Sequence, residues 1–142
     1  MILCVTGGRD HPPFHPLREK LFLARLVKRI TFRDQRFTEL WQGGAKGADT
    51  EARLWAESHG LRNRTFEAEW GKHGKRAGRL RNQRMRDALL ASAEITLVVA
   101  FPGGTGTAHM VEICQTEAMN LIFYTPGAEH GPFPDYYTLL PF

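Results

Sequence analysis

Three glycine clusters are the parts of this sequence best suited to chemistry, because each can hold a phosphate group. Gly7 and Gly8 end the first apolar run, Gly43–Gly47 follows the second, and Gly103–Gly106 follows a third. Glycine lets the backbone approach a phosphate closely and turn its N–H groups towards it. A helix that begins after such a turn adds the positive end of its dipole. Three such turns on one rim favour a phosphate-type ligand.

Basic side chains accompany these turns. Arg9 follows the first cluster and Lys46 lies inside the second, and both could neutralise a phosphate. The segment 72–86 contains seven basic residues and no acidic residue. On a helical wheel Arg81 falls in the apolar sector of this segment, whereas Arg79 points away and should be solvated. If the helix starts elsewhere, Arg79 could contribute instead. A cation in the first turn of a helix opposes the dipole and would be partly desolvated, which predicts an anionic partner for Arg81.

The acidic and metal-ligating residue types give weaker signals. The carboxylates nearest the predicted rim are Asp10, Asp49, Glu69 and Glu112. No two of them have a spacing that demands acid–base catalysis, and Asp49 is expected to stabilise the start of its helix. The histidines and the two cysteines lack metal-ligand spacing, so we predict no metal site and two buried free thiols.

The elements that must position these residues alternate along the chain. Apolar runs predict strands at 2–6, 37–41, 63–66, 95–101 and 121–124. Amphipathic spacing and caps predict helices at 17–32, from 49 to a cap near Gly60, at 79–91 and at 108–119, with a polar loop at 69–78. This order predicts a single Rossmann-like α/β domain of three layers, with a parallel five-stranded sheet and helices on both faces. Ligands bind such sheets beyond the carboxyl ends of the strands, near the switch point.

Composition sets the outer limits of the interpretation. The 142 residues suit one domain, which we place at 1–125, and the 42% of apolar residues excludes global disorder. The remaining segment, 126–142, is rich in proline and aromatic residues and is expected to pack on the domain or on a partner subunit. A net charge of +4 permits binding of anions. The sequence shows no pattern of a signal peptide or a membrane span, so we expect a cytoplasmic location, in a bacterial cell or a phage-infected host.

Several spaced motifs together resemble one known family. They are Val5–Asp10, Gly43–Asp49, Trp70–Lys72, Ala77–Gly78, Arg81–Asn82 with Met85, and Phe101–Thr107. In this order they are similar to the SLOG superfamily, and within it to the YspA-like (YAcAr) group of bacterial and phage proteins. The resemblance implies a Rossmann-like fold that binds a nucleotide or a nucleotide-derived signal such as ADP-ribose. It also implies a homodimer or a higher homo-oligomer. We predict no cofactor and, since no run is long enough for a membrane span, no membrane partner.

These arguments together define a predicted ligand site. Its residues are Thr6, Gly7, Gly8, Arg9, Asp10, Gly43, Gly44, Lys46, Gly47, Asp49, Trp70, Arg81, Asn82, Pro102, Gly103, Gly104, Thr105, Gly106 and Thr107. The leading hypothesis is a non-catalytic sensor or sequestering protein for a nucleotide or an ADP-ribose-like ligand. No catalytic residue is assigned.

Two other branches of the superfamily supply alternative functions. The LOG-type phosphoribohydrolases cleave the base from a nucleoside monophosphate, and their motif resembles Pro102–Thr107. Their glutamate, three residues further on, corresponds to Met110 here, and their Arg-Lys pair corresponds to Arg81 and Asn82. The DprA branch binds single-stranded DNA and has a loop similar to Gly43–Gly47. The basic segment 72–86 is compatible with nucleic acid, but aromatic residues for base stacking are scarce there.

Overall fold

The computed structural model describes residues 1–9, 16–29 and 36–124. The strands are β1 (Ile2–Thr6), β2 (Glu39–Gln42), β3 (Arg62–Thr65), β4 (Thr96–Ala100) and β5 (Leu121–Phe123). The helices are α1 (Pro16–Arg29), α2 (Ala48–Ser58), α3 (Trp70–His73), α4 (Ala77–Ala91) and α5 (Thr105–Thr116), with a 3₁₀ turn at Gly74–Arg76. All five strands pair in parallel, in the spatial order β3-β2-β1-β4-β5. The predicted α/β fold with a parallel five-stranded sheet is confirmed.

The central strands are buried on both faces, as their continuous apolar sequences predict. In β1, Leu3 and Val5 join a core cluster that includes α1 and α2 residues. Ile2 and Cys4 join a second cluster, which includes residues of α4 and α5. Because neighbouring side chains of a strand point to opposite faces, α1 and α2 cover one face and α4 and α5 cover the other.

The strand order creates a switch point between β1 and β4. From β1 the chain passes to β2 and β3 on one side, and it then returns to β4 on the other side of β1. The two strands end together, since Thr6 pairs with Ala100 and Phe101 N donates to Thr6 O at 2.8 Å. Gly8 N donates to Pro102 O at 2.9 Å. The first and third glycine clusters therefore meet at the carboxyl edge of the sheet, where ligands bind in such folds.

Two helices begin two or three residues earlier than the sequence predicts, and one predicted loop is helical. The helix α5 begins at Thr105 rather than at 108, and α4 begins at Ala77 rather than at 79. The first N–H groups of a helix need no partner within it, so glycine and threonine are tolerated there. The predicted polar loop at 69–78 contains α3 and the 3₁₀ turn, because His73 N donates to Glu69 O at 2.9 Å and closes a helical turn.

Several other predictions can be compared with the described residues. Cys4 and Cys114 are free and buried, as predicted. Among residues 1–9, 16–29 and 36–124, no cluster of three metal-ligating side chains is found. No helix in this part of the chain is long and apolar enough to cross a membrane. The predicted tail, 126–142, and Asp10 lie outside the described residues.

Candidate functional site

A cavity of about 540 Å³ lies at the carboxyl ends of β1 and β4, and we call it the main cavity. It is lined by Thr6, Gly7, Gly8, Arg9, Ala45, Asp49, Trp70, Lys75, Gly78, Arg79, Arg81, Gly104, Thr105, Gly106, Thr107 and His109. These residues come from the end of β1, from the loops after β1, β2 and β4, from α2, α3 and the 3₁₀ turn, and from the N-terminal parts of α4 and α5. All three predicted glycine clusters thus contribute to one cavity. Among the described residues, Asp49 supplies the single carboxyl group of its lining.

The first two glycine loops are packed directly against each other. Gly47 has a φ of +82°, which side-chain-bearing residues rarely adopt. A Cβ atom at Gly47 would also lie 2.6 Å from Arg9 O, so no larger residue fits. The neighbouring Ala48 N donates to Gly8 O at 3.2 Å. Gly47 therefore allows α2 to begin against the backbone of the β1 loop.

Buried polar side chains hold the second glycine loop in place. Asp49 Oδ2 accepts hydrogen bonds from Gly43 N and Ala45 N, each at 3.2 Å. Gln42 Oε1 accepts from Gly44 N at 2.5 Å. The N-cap of α2 is Gly47, and no side chain caps this helix. Asp49 thus braces the loop that precedes α2, rather than capping the helix as its position predicts.

The Asp49 carboxyl group is electrostatically unusual. Burial raises its pKa from 3.8 to about 6, although hydrogen bonds from Ala45 and Gly43 and the charges of Arg81 and Arg9 oppose this change. The side chain is 4% exposed, and Oδ1 has no hydrogen-bond partner among the described residues. Burial therefore keeps this carboxyl group protonated to a higher pH than an exposed aspartate.

Arg81 connects α4 to the second glycine loop. Its Nη1 donates to Gly43 O and, at 3.5 Å, to Phe66 O, while its Nε donates to Asn82 Oδ1 at 2.9 Å. Burial lowers the Arg81 pKa, and the charge of Asp49 acts in the opposite direction. Arg81 therefore has a favourable charge–charge interaction with Asp49, which is the anionic partner that the sequence predicts. Its hydrogen bonds go instead to the uncharged oxygens of Gly43, Phe66 and Asn82.

Asn82 extends this network to the third glycine loop. The residue is 4% exposed, and its Nδ2 lies 3.1 Å from Gly106 O and 3.1 Å from His109 Nδ1. Asn82 thus joins Arg81 on α4 to His109 on α5, and both of these residues line the main cavity.

A second cavity of about 460 Å³ adjoins the main cavity, and we call it the side cavity. It is lined by Arg9, Gly43, Gly44, Ala45, Lys46, Glu67, Ala68, Trp70 and Arg81, four of which also line the main cavity. Between the two cavities, the Arg9 guanidinium lies 5.3 Å from the centre of a Trp70 ring. This distance fits a cation–π contact. Trp70 is 49% exposed, so part of its side chain is accessible to a ligand.

Of the eighteen predicted site residues that the structure describes, fourteen line one of these two cavities and four do not. Gly47 and Asn82 hold loops together behind the cavity walls. Pro102 and Gly103 line a separate groove of about 360 Å³ beside α5 and β5. Gly103 also packs closely against the first glycine loop, since a Cβ at this position would lie 2.6 Å from Gly8 N.

The sequence analysis missed several lining residues. They are Ala45, Lys75, Gly78, Arg79 and His109 in the main cavity and Glu67 and Ala68 in the side cavity. Arg79 is exposed, as predicted, but it also borders the cavity because α4 begins two residues earlier than expected. His109 could have been found from its position, since it lies three residues after Gly106 and therefore on the same face of α5.

The position of the LOG-type glutamate lies away from both cavities. Met110 is fully buried and belongs to the core cluster between the sheet, α4 and α5. Glu112 is exposed and lines the separate groove instead. Neither side chain lines the main cavity, so the carboxylate of that hydrolytic motif has no equivalent there.

Comparisons with known proteins identify the family of this chain. The family model described as "YspA, cpYpsA-related SLOG family" matches residues 1–73, which is just over half of the chain. Gene 61 protein of Mycobacterium phage D29 is 36% identical over 87 residues, and the match covers 56% of this chain and 66%, just under two thirds, of the phage protein. No solved structure gives a significant match. The resemblance predicted from the motifs is confirmed, and the chain belongs to the YspA, cpYpsA-related SLOG family.

Proposed function

We propose that this protein binds a nucleotide or a nucleotide-derived ligand of the ADP-ribose type, without cleaving it, as a sensor or a sequestering protein. The observation that carries the proposal is the convergence of three glycine loops and four cations on the main cavity. The cations are Arg9, Lys75, Arg79 and Arg81. A phosphate group suits this surface because backbone N–H groups and positive side chains can both contact it.

The start of α5 adds a further argument for an anion. Gly104 is the N-cap, and no side chain caps the helix. The first-turn N–H groups at Thr105 and Gly106 therefore lack a side-chain acceptor, and both residues line the main cavity. An anion placed there gains these N–H donors together with the positive end of the helix dipole.

The adjoining side cavity supports a ligand larger than a phosphate. It offers the half-exposed indole of Trp70 for stacking, and Glu67 and Lys46 for polar contacts. Aromatic stacking on a base is a common way to hold nucleotides. A ligand with a phosphate in the main cavity and a base or sugar in the side cavity would use both spaces.

One observation favours a second candidate function, an N-glycosidase of the LOG type. The Asp49 pKa of about 6 lies in the range that suits a general acid or base. Two features weigh against this candidate. Asp49 Oδ2 already accepts hydrogen bonds from two backbone N–H groups. The position of the glutamate of LOG-type enzymes is occupied here by the buried Met110.

Native mass spectrometry of the protein tests the proposal directly. The purified protein is incubated with AMP, ADP-ribose and cyclic ADP-ribose, and chromatography follows any release of free base. We expect an intact nucleotide adduct and no free base. Accumulation of free base and ribose phosphate would contradict the non-catalytic proposal and favour the glycosidase. Binding of single-stranded DNA with a steep salt dependence, and no adduct, would favour the DprA-like alternative.

A pair of charge-matched variants locates the site. Arg79 and Arg76 are both exposed arginines, and Arg79 lines the main cavity while Arg76 does not. We expect Arg79→Gln to weaken the affinity for the nucleotide about tenfold, because it loses one charge-assisted hydrogen bond. Arg76→Gln should change the affinity about twofold or less. Equal effects of the two variants would indicate a diffuse electrostatic attraction instead of this site.

A further inference from the structure

The amide of Asn82 has one orientation that its surroundings permit. The oxygen Oδ1 lies 2.9 Å from Arg81 Nε, which can only donate, and Nδ2 lies 3.1 Å from Gly106 O, which can only accept. Exchanging the two amide atoms would place a donor against a donor and an acceptor against an acceptor. The network therefore fixes Nδ2 as the atom that faces His109.

This orientation determines the protonation of the His109 ring. Asn82 Nδ2 lies 3.1 Å from His109 Nδ1 and can only donate, so Nδ1 must be the acceptor. In a neutral imidazole with an accepting Nδ1, the proton is on Nε2. The ring thus keeps Nε2–H as its one remaining hydrogen-bond donor.

Burial and nearby positive charge also favour the neutral form of the His109 ring. Its pKa is lowered from 6.5 chiefly by burial and by the charge of Arg79, with a smaller effect of Arg86, while Glu112 acts in the opposite direction. Protonation of Nδ1 would in addition place an N–H group against the Asn82 N–H. These effects act together, because each of them disfavours the imidazolium form.

We propose that His109 is a ligand-binding residue of the main cavity, and that Asn82 is the positioning residue that fixes its neutral ring as an Nε2–H donor to a phosphate oxygen. The inference rests on the proposed function, because it places an anion in this cavity. His109 lines the cavity and lies one helical turn after Thr105 and Gly106, on the face of α5 that carries the exposed first-turn N–H groups. A phosphate held there is within the region that the Nε2–H group can serve.

NMR of the protein with ¹⁵N-labelled histidine tests the positioning role without any ligand. We expect a single His109 tautomer with the proton on Nε2, and a titration midpoint below 6.5. In Asn82→Asp the new carboxylate accepts from Nδ1–H, so the midpoint should rise by about one pH unit or more, equivalent to a tenfold higher proton affinity. His59, whose Nδ1 contacts Trp55 O, serves as the internal control and should not change. A mixture of tautomers in the unmodified protein would overturn the proposal, whether or not Asn82→Asp folds.

Addition of inorganic sulfate tests the binding role, because sulfate does not titrate in this pH range. We expect the His109 Nε2 signal to shift together with the Arg81 side-chain signals, and His109→Phe to weaken sulfate binding about fivefold. The matched variant His59→Phe should leave the affinity unchanged. A shift of the Arg81 signals without a shift of His109 Nε2 would overturn this proposal alone. No response of either residue would refute the anion site itself, and the role of His109 with it.

Discussion

Replacing Asp49 by asparagine should stabilise the protein at neutral pH and have little effect in acid. The buried carboxyl group has a pKa of about 6 in the folded protein and an ordinary value of 3.8. The folded state therefore binds a proton more readily than the unfolded state, and stability is lost as the pH rises from about 4 to 6. The full loss is about 3 kcal/mol, because each tenfold change in proton affinity corresponds to about 1.36 kcal/mol. Asparagine keeps an oxygen for Gly43 N and Ala45 N and carries no charge.

Urea unfolding between pH 5 and pH 8 provides the assay. We compare the free energy of unfolding of Asp49→Asn with that of the unmodified protein. The advantage of the variant should grow by roughly 1.5 kcal/mol over this range, since about half of the stability that the unmodified protein loses is lost above pH 5. The control is Asp87→Asn, in which an exposed carboxylate of α4 is removed, and its difference should stay constant. A constant difference for Asp49→Asn, or one that shrinks towards pH 8, would refute the argument from burial.

Three further substitutions test the packing around the cavity. Gly43→Ala should lower the free energy of unfolding by about 1–3 kcal/mol, because the added Cβ would overlap the Arg81 guanidinium. Gly104→Ala is the control: no atom lies within 4 Å of its added Cβ, so this variant should unfold like the unmodified protein. Equal urea midpoints for these two variants would contradict the close packing at Gly43. Met110→Glu should cost about 3 kcal/mol or more and release no base from AMP, because it buries a carboxylate in the core. A stable Met110→Glu protein with hydrolase activity would show instead that this position reaches the site.

The sheet and the glycine loops could be predicted because their signals are local. A continuous apolar run such as Leu97–Ala100 indicates a strand buried on both faces, and the glycine cluster after it marks the carboxyl edge. The helix starts were less predictable. Thr105 and Gly106 are poor helix formers, yet they belong to α5, because a first turn needs no internal acceptors for its N–H groups.

The polar contacts inside the site could not be predicted, because they join residues far apart in the chain. The wheel position of Arg81 indicates partial burial, but the partner Gly43 is 38 positions away. Asn82 follows Arg81 directly and faces the core, and only the fold brings it to Gly106 and His109. A sequence gives the type of each residue, whereas the hydrogen-bond partner depends on which helices the sheet places side by side.

The three buried polar residues of the described part of the chain share one structural role. They are Gln42, Asp49 and Asn82, and each bonds a residue of a glycine loop. A glycine-rich loop loses much conformational freedom when it is ordered, and this loss weakens the binding of any ligand that must order the loop. Buried side chains that already hold the loop remove part of this cost before the ligand arrives. The core of this protein therefore has fewer apolar contacts at these positions, and hydrogen bonds to the buried side chains fix the backbone of the loops. A fixed loop backbone favours the phosphate site proposed above, because a glycine residue has no side chain of its own that could order the loop.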